Sequence, residues 1–305
     1  MFTVMPEGGA RSGSGDAAGG RLAEVRRALA GTRFADVRWV AETGSTNADV
    51  LALAREGAPE GTVVVADHQR AGRGRRARRW VAPPGGSLLV SVLLRPRADV
   101  ASLAPMAAAV ALAEAAQGVG GVEARLKWPN DLVVATPSGE RKLAGLLAEA
   151  DWPVAGAVPA GGRRPAAEER VAVVVGAGLN VAWPGRGGDA GLPADLAEVA
   201  GTATALSWLG AEVDRADVLV AYLRALEPRY GRLSGGVEAG TEVVDAWRAR
   251  SATLGRRVRV DLGGAEVEGI AVDLTPQGHL VVDTGAHGRR TLAVGDVVHL
   301  RPAVG

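Results

Sequence analysis

The sequence predicts an α+β protein in which a mixed-sheet domain precedes a small β barrel. Two patterns carry this. From about residue 21 to 251, apolar helical stretches alternate with short β-rich runs. After "SATLG" the periodicity shifts to short alternating strands separated by Gly-containing turns, enough for a barrel of about fifty residues. At 305 residues and 47% hydrophobic content, the chain is long enough to bury two cores. The expected organisation is a disordered Gly/Ala/Ser-rich leader over 1–20, the mixed-sheet domain over 21–251 and the barrel over 252–305.

Element by element, a helix is expected at 21–30 and a strand at 37–41. In "GSTNADVLALAREG", Ser45 or Thr46 caps a helix whose apolar side is Val50, Leu51 and Leu53. Strands follow at 62–66 and 87–94, then an Ala-rich buried helix at 101–117. "VEARLKWPNDLVV" reads as two short strands around a Pro turn. "KLAGLLAEA" and "RVAVVVGAGLNV" are apolar enough for central strands. The stretches 152–169 and 184–195 read as surface connections. Helices are expected at about 215–232 and 241–250, followed by "RRVRVDL", "AEVEGIAVD", "GHLVVD", "RRTLAV" and "DVVHLRP" as barrel strands.

Composition excludes several functions. With no cysteine, the chain has no disulfide, no thiolate zinc site and no cysteine nucleophile. A net charge of +1 argues against a general polyanion binder. No signal pattern opens the chain, and "MAAAVALAEAA" is too short to span a bilayer and contains Glu114, so the expected location is cytoplasmic. Among 35 basic residues only Lys127 and Lys142 are lysines, and asparagine occurs only at Asn47, Asn130 and Asn180. In a chain that so prefers arginine, a retained lysine points to a site needing a compact point charge.

These rare residues fall in short motifs. "AGRGRRARRW" places Arg73, Arg75, Arg76, Arg78 and Arg79 in a Gly-rich loop, where backbone N–H groups and guanidinium forks can grip an anion. A solvated turn and a nucleic-acid patch remain open readings of the same loop. In "LKWPNDL", Pro129 sets a turn that aims Lys127, Asn130 and Asp131 into a common space, although Asp131 also suits a turn-stabilising role. Gly145 follows Lys142 by three positions, leaving room for a ligand, and Gly178 precedes Asn180 in the same manner. "GSTN" adds short polar groups before a helix N-terminus.

The ordered set "GSTN", "QRAGRGRRARRW", "LKWPNDL", "KLAGLLAE" and "GAGLNV", followed by a small barrel, resembles the biotin protein ligase family over roughly residues 38–300. The resemblance implies the biotin/lipoate ligase type of catalytic domain with an SH3-like barrel. It implies a ligase that joins biotin to ATP as biotinyl-5′-AMP and transfers biotin to one lysine of a biotin carboxyl carrier domain, with Mg²⁺ as the ion. By the same resemblance Lys127 and Arg73 are the catalytic residues. Biotin falls to Ser45, Thr46, Asn47, Gln69, Arg73, Gly74, Arg75, Lys142 and Gly145, and the adenylate to Arg75, Arg78, Trp80, Lys127, Asn130 and Asn180. Asp131 is the expected Mg²⁺ contact.

Ala77 departs from the pattern, since the family usually has glycine there; a positive φ at this position would cost an alanine about 1 kcal/mol. The segment before residue 38 is too short and too poor in apolar residues for the winged helix-turn-helix of repressor members. The expected form is therefore the non-regulatory enzyme, a monomer or weak homodimer with no DNA or membrane partner. A lipoate–protein ligase and, in a different class, a nucleic-acid binding module are the competing readings.

Overall fold

The structure is a computed structural model that describes residues 13–150, 165–184, 196, 199 and 201–300. Seven strands form a mixed sheet in the order β1-β2-β3-β7-β6-β5-β4. The strands are β1 (Val37–Thr43), β2 (Val63–Gln69), β3 (Ser87–Leu94), β4 (Arg125–Lys127), β5 (Asp131–Thr136), β6 (Gly139–Ala150) and β7 (Val173–Asn180). Only β1 and β2 run parallel; every other neighbour pair is antiparallel.

Every residue of β3 and β7 is buried, which is why they read as continuous apolar runs. On one face, Val63, Val65, Val90, Val92, Val173 and Val175 join the main core with α3 (Ala104–Gly120), α4 (Arg215–Arg232) and α5 (Gly236–Ala249). The alanines of α3 keep its side chains short, so α4 packs closely, and the helix ends at Gly121 in the left-handed conformation. Together with the 3₁₀ turn before it, the segment Ala98–Gly120 is long and apolar enough to cross a membrane, longer than "MAAAVALAEAA" suggests, but most of it is buried against the sheet.

The other face is only partly covered. A single helix, α2 (Thr46–Arg55), places Val50 against Val64, Leu93 and Val174. Ser45 is its N-cap residue through the backbone, its carbonyl accepting from Asp49 N at 3.0 Å, but its hydroxyl makes no capping bond. The hydroxyl is thereby left to the open part of the sheet face.

The first helix, α1 (Gly13–Ala28), starts inside the stretch expected to be a leader; residues 1–12 of that stretch lie outside the described residues. Most of both expected surface connections also lies outside them. The last five strands, β8 (Arg257–Asp261), β9 (Glu266–Leu274), β10 (Leu280–Asp283), β11 (Arg289–Leu292) and β12 (Asp296–His299), form an antiparallel sheet in the order β11-β10-β9-β8-β12. The inward positions Val258, Val260, Ala271, Leu280 and Val282 are fully buried. The chain enters this barrel alongside β4: Leu126 N donates to Arg250 O and Ala252 N to Leu126 O, both at 2.8 Å. This seam fixes the barrel beside the "LKWPNDL" turn.

Candidate active site

Where α2 leaves the sheet face open, a cavity of about 220 Å³ is floored by glycine. A Cβ at Gly178 would overlap the Trp80 indole, and one at Gly176 would overlap the Asn47 amide. A Cβ at Gly145 would lie 3.0 Å from both Lys142 and Trp80. The strands thus give up side chains where Trp80 and Asn47 lie flat against them. Among the described residues the Trp80 indole N–H meets no acceptor.

The wall beside α2 is a hydrogen-bonded row. Gln69 Oε1 accepts from Thr46 N at 2.8 Å, and the Thr46 and Ser91 hydroxyls are 2.7 Å apart. The Ser91 hydroxyl donates to Asn47 Oδ1 at 2.6 Å, and Asn47 Nδ2 donates to Glu149 at 2.7 Å. Every member of this row except Gln69 and Glu149 is buried.

The arginine loop is an ordered hairpin. Trp80 N donates to Gly72 O at 2.9 Å and Gly74 N to Arg78 O at 2.6 Å, around a 3₁₀ turn at Arg75–Ala77. Arg76 and Ala77 both have positive φ, +53° and +58°. The position where alanine replaces the family's usual glycine is therefore one where the backbone is left-handed. Four of the five arginines meet carboxylates of this chain: Arg73 lies 3.3 Å from Glu149, Arg75 3.5 Å from Asp296, Arg76 2.5 Å from Asp261 and Arg78 2.7 Å from Asp296. Burial pushes the Arg75 guanidinium below its ordinary value and Asp296 opposes that shift. Such internal pairing argues against an open nucleic-acid patch, which needs its cations free for phosphates.

Opposite the hairpin stands the turn between β4 and β5, with a cis Trp128–Pro129 bond. Asn130 is stitched to β6 by its amide, which donates to Leu146 O at 2.8 Å, and its Oδ1 accepts from Arg75 at 3.4 Å. The barrel buttresses the same turn: Thr253 Oγ1 accepts from Trp128 N at 3.0 Å, and Gly278 O from Trp128 Nε1 at 3.1 Å. Lys127 and Lys142 both line the cavity. Lys142 Nζ lies 2.7 Å from Asp131 and 5.5 Å from the Trp80 ring centre.

Behind Lys127, Glu140 joins the barrel through His299 at 3.2 Å and Arg256 at 3.3 Å. Burial alone would raise the Glu140 carboxyl. The hydrogen bond and charge of His299, with Arg256 and Lys127, outweigh burial and leave it below the ordinary value.

Ser45, Thr46, Asn47, Gln69, Arg73, Gly74, Arg75, Arg78, Trp80, Lys127, Asn130, Asp131, Lys142 and Gly145 therefore converge on one cavity. Asn180 does not. It is 1% exposed, its amide donates to Thr204 O at 2.9 Å, and its Oδ1 accepts from Ser87 at 3.3 Å. Its polar atoms are spent on holding the end of β7. Asp131, the expected Mg²⁺ contact, faces a lysine, and no cluster of three or more His, Cys, Asp or Glu occurs among the described residues. The donor set does not fit a resident metal cage.

Sequence reasoning missed Ser91, Glu149, Asp261 and Asp296. Glu149 had a signal, because Gly145, Leu147 and Glu149 alternate along β6. The two aspartates had none, lying about two hundred residues from the hairpin.

A mixed sheet with a glycine-floored cavity, an arginine hairpin over it and a C-terminal barrel beside it defines the biotin/lipoate ligase class. In agreement, the model of the Biotin/lipoate A/B protein ligase family matches residues 40–162, and that of the Biotin protein ligase C terminal domain matches residues 253–300. The biotin–[acetyl-CoA-carboxylase] ligase of Mycobacterium tuberculosis (strain ATCC 25618 / H37Rv) is 39% identical over 284 residues, 89% of this chain and 92% of the relative. The ligase of the same name from Paracoccus denitrificans is 33% identical over 264 residues, 85% of this chain and 98% of the relative. The biotin protein ligase of Aquifex aeolicus in complex with biotin and ATP shares the fold, with a TM-score of 0.64 at 24% identity, covering 88% of this chain and 99% of that one. The chain belongs to the biotin protein ligase family.

Proposed function

We propose that this chain is an ATP-dependent biotin–protein ligase that makes biotinyl-5′-AMP and transfers the biotinyl group to a lysine of a biotin carboxyl carrier domain. The observation that carries this reading is the convergence of Arg73, Arg75, Lys127 and Lys142 on one cavity whose wall offers uncharged hydrogen-bonding groups. Four cations suit a carboxylate and a phosphate brought together; the wall of Thr46, Asn47 and Gln69 suits a compact polar ring. Names of the two curated relatives favour biotin over lipoate.

In the first step the biotin carboxylate oxygen attacks the α-phosphorus, the bond to the bridging oxygen breaks and pyrophosphate leaves. Arg73, Arg75 and Lys127 offset the charge that collects there, in a site that the hairpin shields from water. In the second step the neutral acceptor amine attacks the acyl carbon, AMP departs with the electron pair of the broken C–O bond, and the amine proton passes to solvent. Mg²⁺ would come as part of the ATP substrate and would neutralise phosphate charge, and Asp131, paired with Lys142, is not assigned to hold it. Asn130 and Trp80 position the adenylate. The barrel at 252–305 steadies the turn that carries Lys127, and the enzyme works in the cytoplasm as a monomer or weak homodimer.

The test is incubation of the chain with biotin, ATP, Mg²⁺ and a carrier domain, followed by mass measurement of the carrier. A gain of one biotinyl group is expected. A gain with lipoate in place of biotin, or none with either, rejects the reading.

A further inference from the structure

The hydrogen-bonded row from Thr46 to Glu149 has a direction. Glu149, on β6, presents an acceptor-only carboxylate to Asn47 Nδ2 at 2.7 Å. Leu147 O takes the other side of the same nitrogen at 3.2 Å, so Asn47 Oδ1 must point at Ser91. The Ser91 hydroxyl then donates to Asn47 at 2.6 Å, and its single proton is spent. The one proton of Thr46 goes to Ser91, 2.7 Å away, or to Gln69 Oε1, 3.1 Å away, and in either case is spent inside the row. What Thr46 is left to offer the cavity is lone pairs alone. Acceptors at both ends, Glu149 with Leu147 O at one and Gln69 Oε1 at the other, therefore leave the wall accepting from a ligand's N–H groups, and each bond polarises the next.

The same carboxylate reaches the hairpin. Arg73 Nη2 lies 3.3 Å from both Glu149 oxygens, so the guanidinium that the adenylation step requires is held against the cavity floor by a group that is not substrate. The Glu149 side chain is 25% exposed, enough to be reached and too little to be a free surface charge.

We propose that Glu149 is a positioning residue with two tasks: with Leu147 O it anchors Asn47, so that the Thr46–Ser91–Asn47 row faces a cyclic urea's N–H with lone pairs, and it serves as the resting counter-ion of Arg73, which the substrate carboxylate replaces. The proposal rests on the ligase reading for the identity of the urea and the carboxylate. The contact of Glu149 with the hairpin does not depend on that reading.

Two variants separate the tasks. Glu149→Gln keeps an acceptor for Asn47 and nearly the same shape but removes the charge facing Arg73; Glu149→Leu removes both. Ligand-free Glu149→Gln is expected to be cut by trypsin within residues 70–79 severalfold faster than wild type, with the difference vanishing when biotin, ATP and Mg²⁺ are present. In calorimetry with biotin alone, Glu149→Gln keeps near wild-type affinity, whereas Glu149→Leu weakens binding severalfold because Asn47 loses the shorter of its two acceptors and keeps only Leu147 O. Steady-state kinetics add that the Gln variant changes kcat more than the biotin KM, a split that a merely structural role would not produce. Equal ligand-free cleavage of wild type and Glu149→Gln overturns the counter-ion role, and equal biotin affinity of the Gln and Leu variants overturns the anchoring role. Failure of wild type to bind biotin at all rejects the ligase reading instead, and leaves the cleavage comparison to judge the contact with Arg73.

Discussion

The Asp296 carboxylate, at the first residue of the last barrel strand, accepts from Arg78 Nη2 at 2.7 Å. It also lies 3.5 Å from Arg75 and 3.6 Å from Arg76, so one barrel side chain gathers three arginines of a hairpin more than two hundred residues earlier in the sequence. The barrel therefore takes part in closing the cavity.

Asp296→Ala is expected to loosen the hairpin without unfolding the protein. Arg78 is 72% exposed, so its pair contributes little after solvent screening, and the global change should stay under about 1 kcal/mol. Locally, three guanidiniums lose their shared partner, and the turn is then held to the barrel by the Asp261 contact of Arg76 and the Gly295 O contact of Arg75. Trypsin should cut within 70–79 severalfold faster in the variant, and biotin with ATP should slow the cut in both proteins. Unchanged cleavage in Asp296→Ala would show that the barrel does not restrain the hairpin.

Ala77→Gly is expected to tighten the hairpin. A φ of +58° costs an L-residue about 1–2 kcal/mol, and glycine removes that strain. Against this, glycine gains freedom in the unfolded chain worth about 0.4–1 kcal/mol. The balance is a gain of between zero and about 1.6 kcal/mol, read as slower proteolysis of 70–79 and a Tm equal to or above wild type. Ala77→Val should do the opposite, because a β-branched side chain tolerates this region less well. A lower Tm for the glycine variant would mean that Ala77 is not strained.

Lys127→Arg is expected to fold normally and lose most adenylation. The lysine sits beside a turn fixed on three sides, by β5, by the Thr253 contact and by the Gly278 contact with Trp128, so a bulkier planar fork has no room to be accommodated by moving the backbone. Pyrophosphate release from biotin and ATP reads the effect. Wild-type release from Lys127→Arg would remove Lys127 from the chemistry.

Much of this site was legible in the sequence because its residues are of types that local physics restricts. Lysines in an arginine-preferring chain, a Pro turn and glycines in apolar strands each stand out without a fold in hand. The strand at 87–94 and the helix at 215–232 were equally plain, carried by a continuous apolar run and by helical periodicity. Other features had no local mark. Ser91 looks like a polar slip in "LLVSVLL" until Asn47 is placed beside it. Asp261 and Asp296 look like ordinary strand-end acids until the barrel is docked. Asn180 shows the reverse: its motif reads as a site, and in the fold its amide bonds Thr204 O, a partner that the motif does not announce.

Arg75→Gly is expected to make the enzyme leak its intermediate. The Arg75 guanidinium bonds Asn130 at 3.4 Å and Gly295 O at 3.0 Å, so it bridges the hairpin, the β4–β5 turn and the barrel. Removing it opens the cavity at the point where all three meet, and the biotinyl-AMP anhydride can escape to acylate amines on other proteins. The lysine inventory then predicts where the label goes. This chain has only Lys127 and Lys142, and Lys142 is engaged by Asp131 at 2.7 Å, where an ion-paired ammonium is a poor nucleophile. The variant, incubated with biotin and ATP in the presence of albumin, should label the lysine-rich albumin heavily and itself scarcely, except at its α-amino group. Mass spectrometry of both proteins reads the outcome. Heavy labelling of Lys127 or Lys142 would show that the labelled amine is free and exposed, and would undercut the argument that its retention in an arginine-rich chain reflects catalytic need.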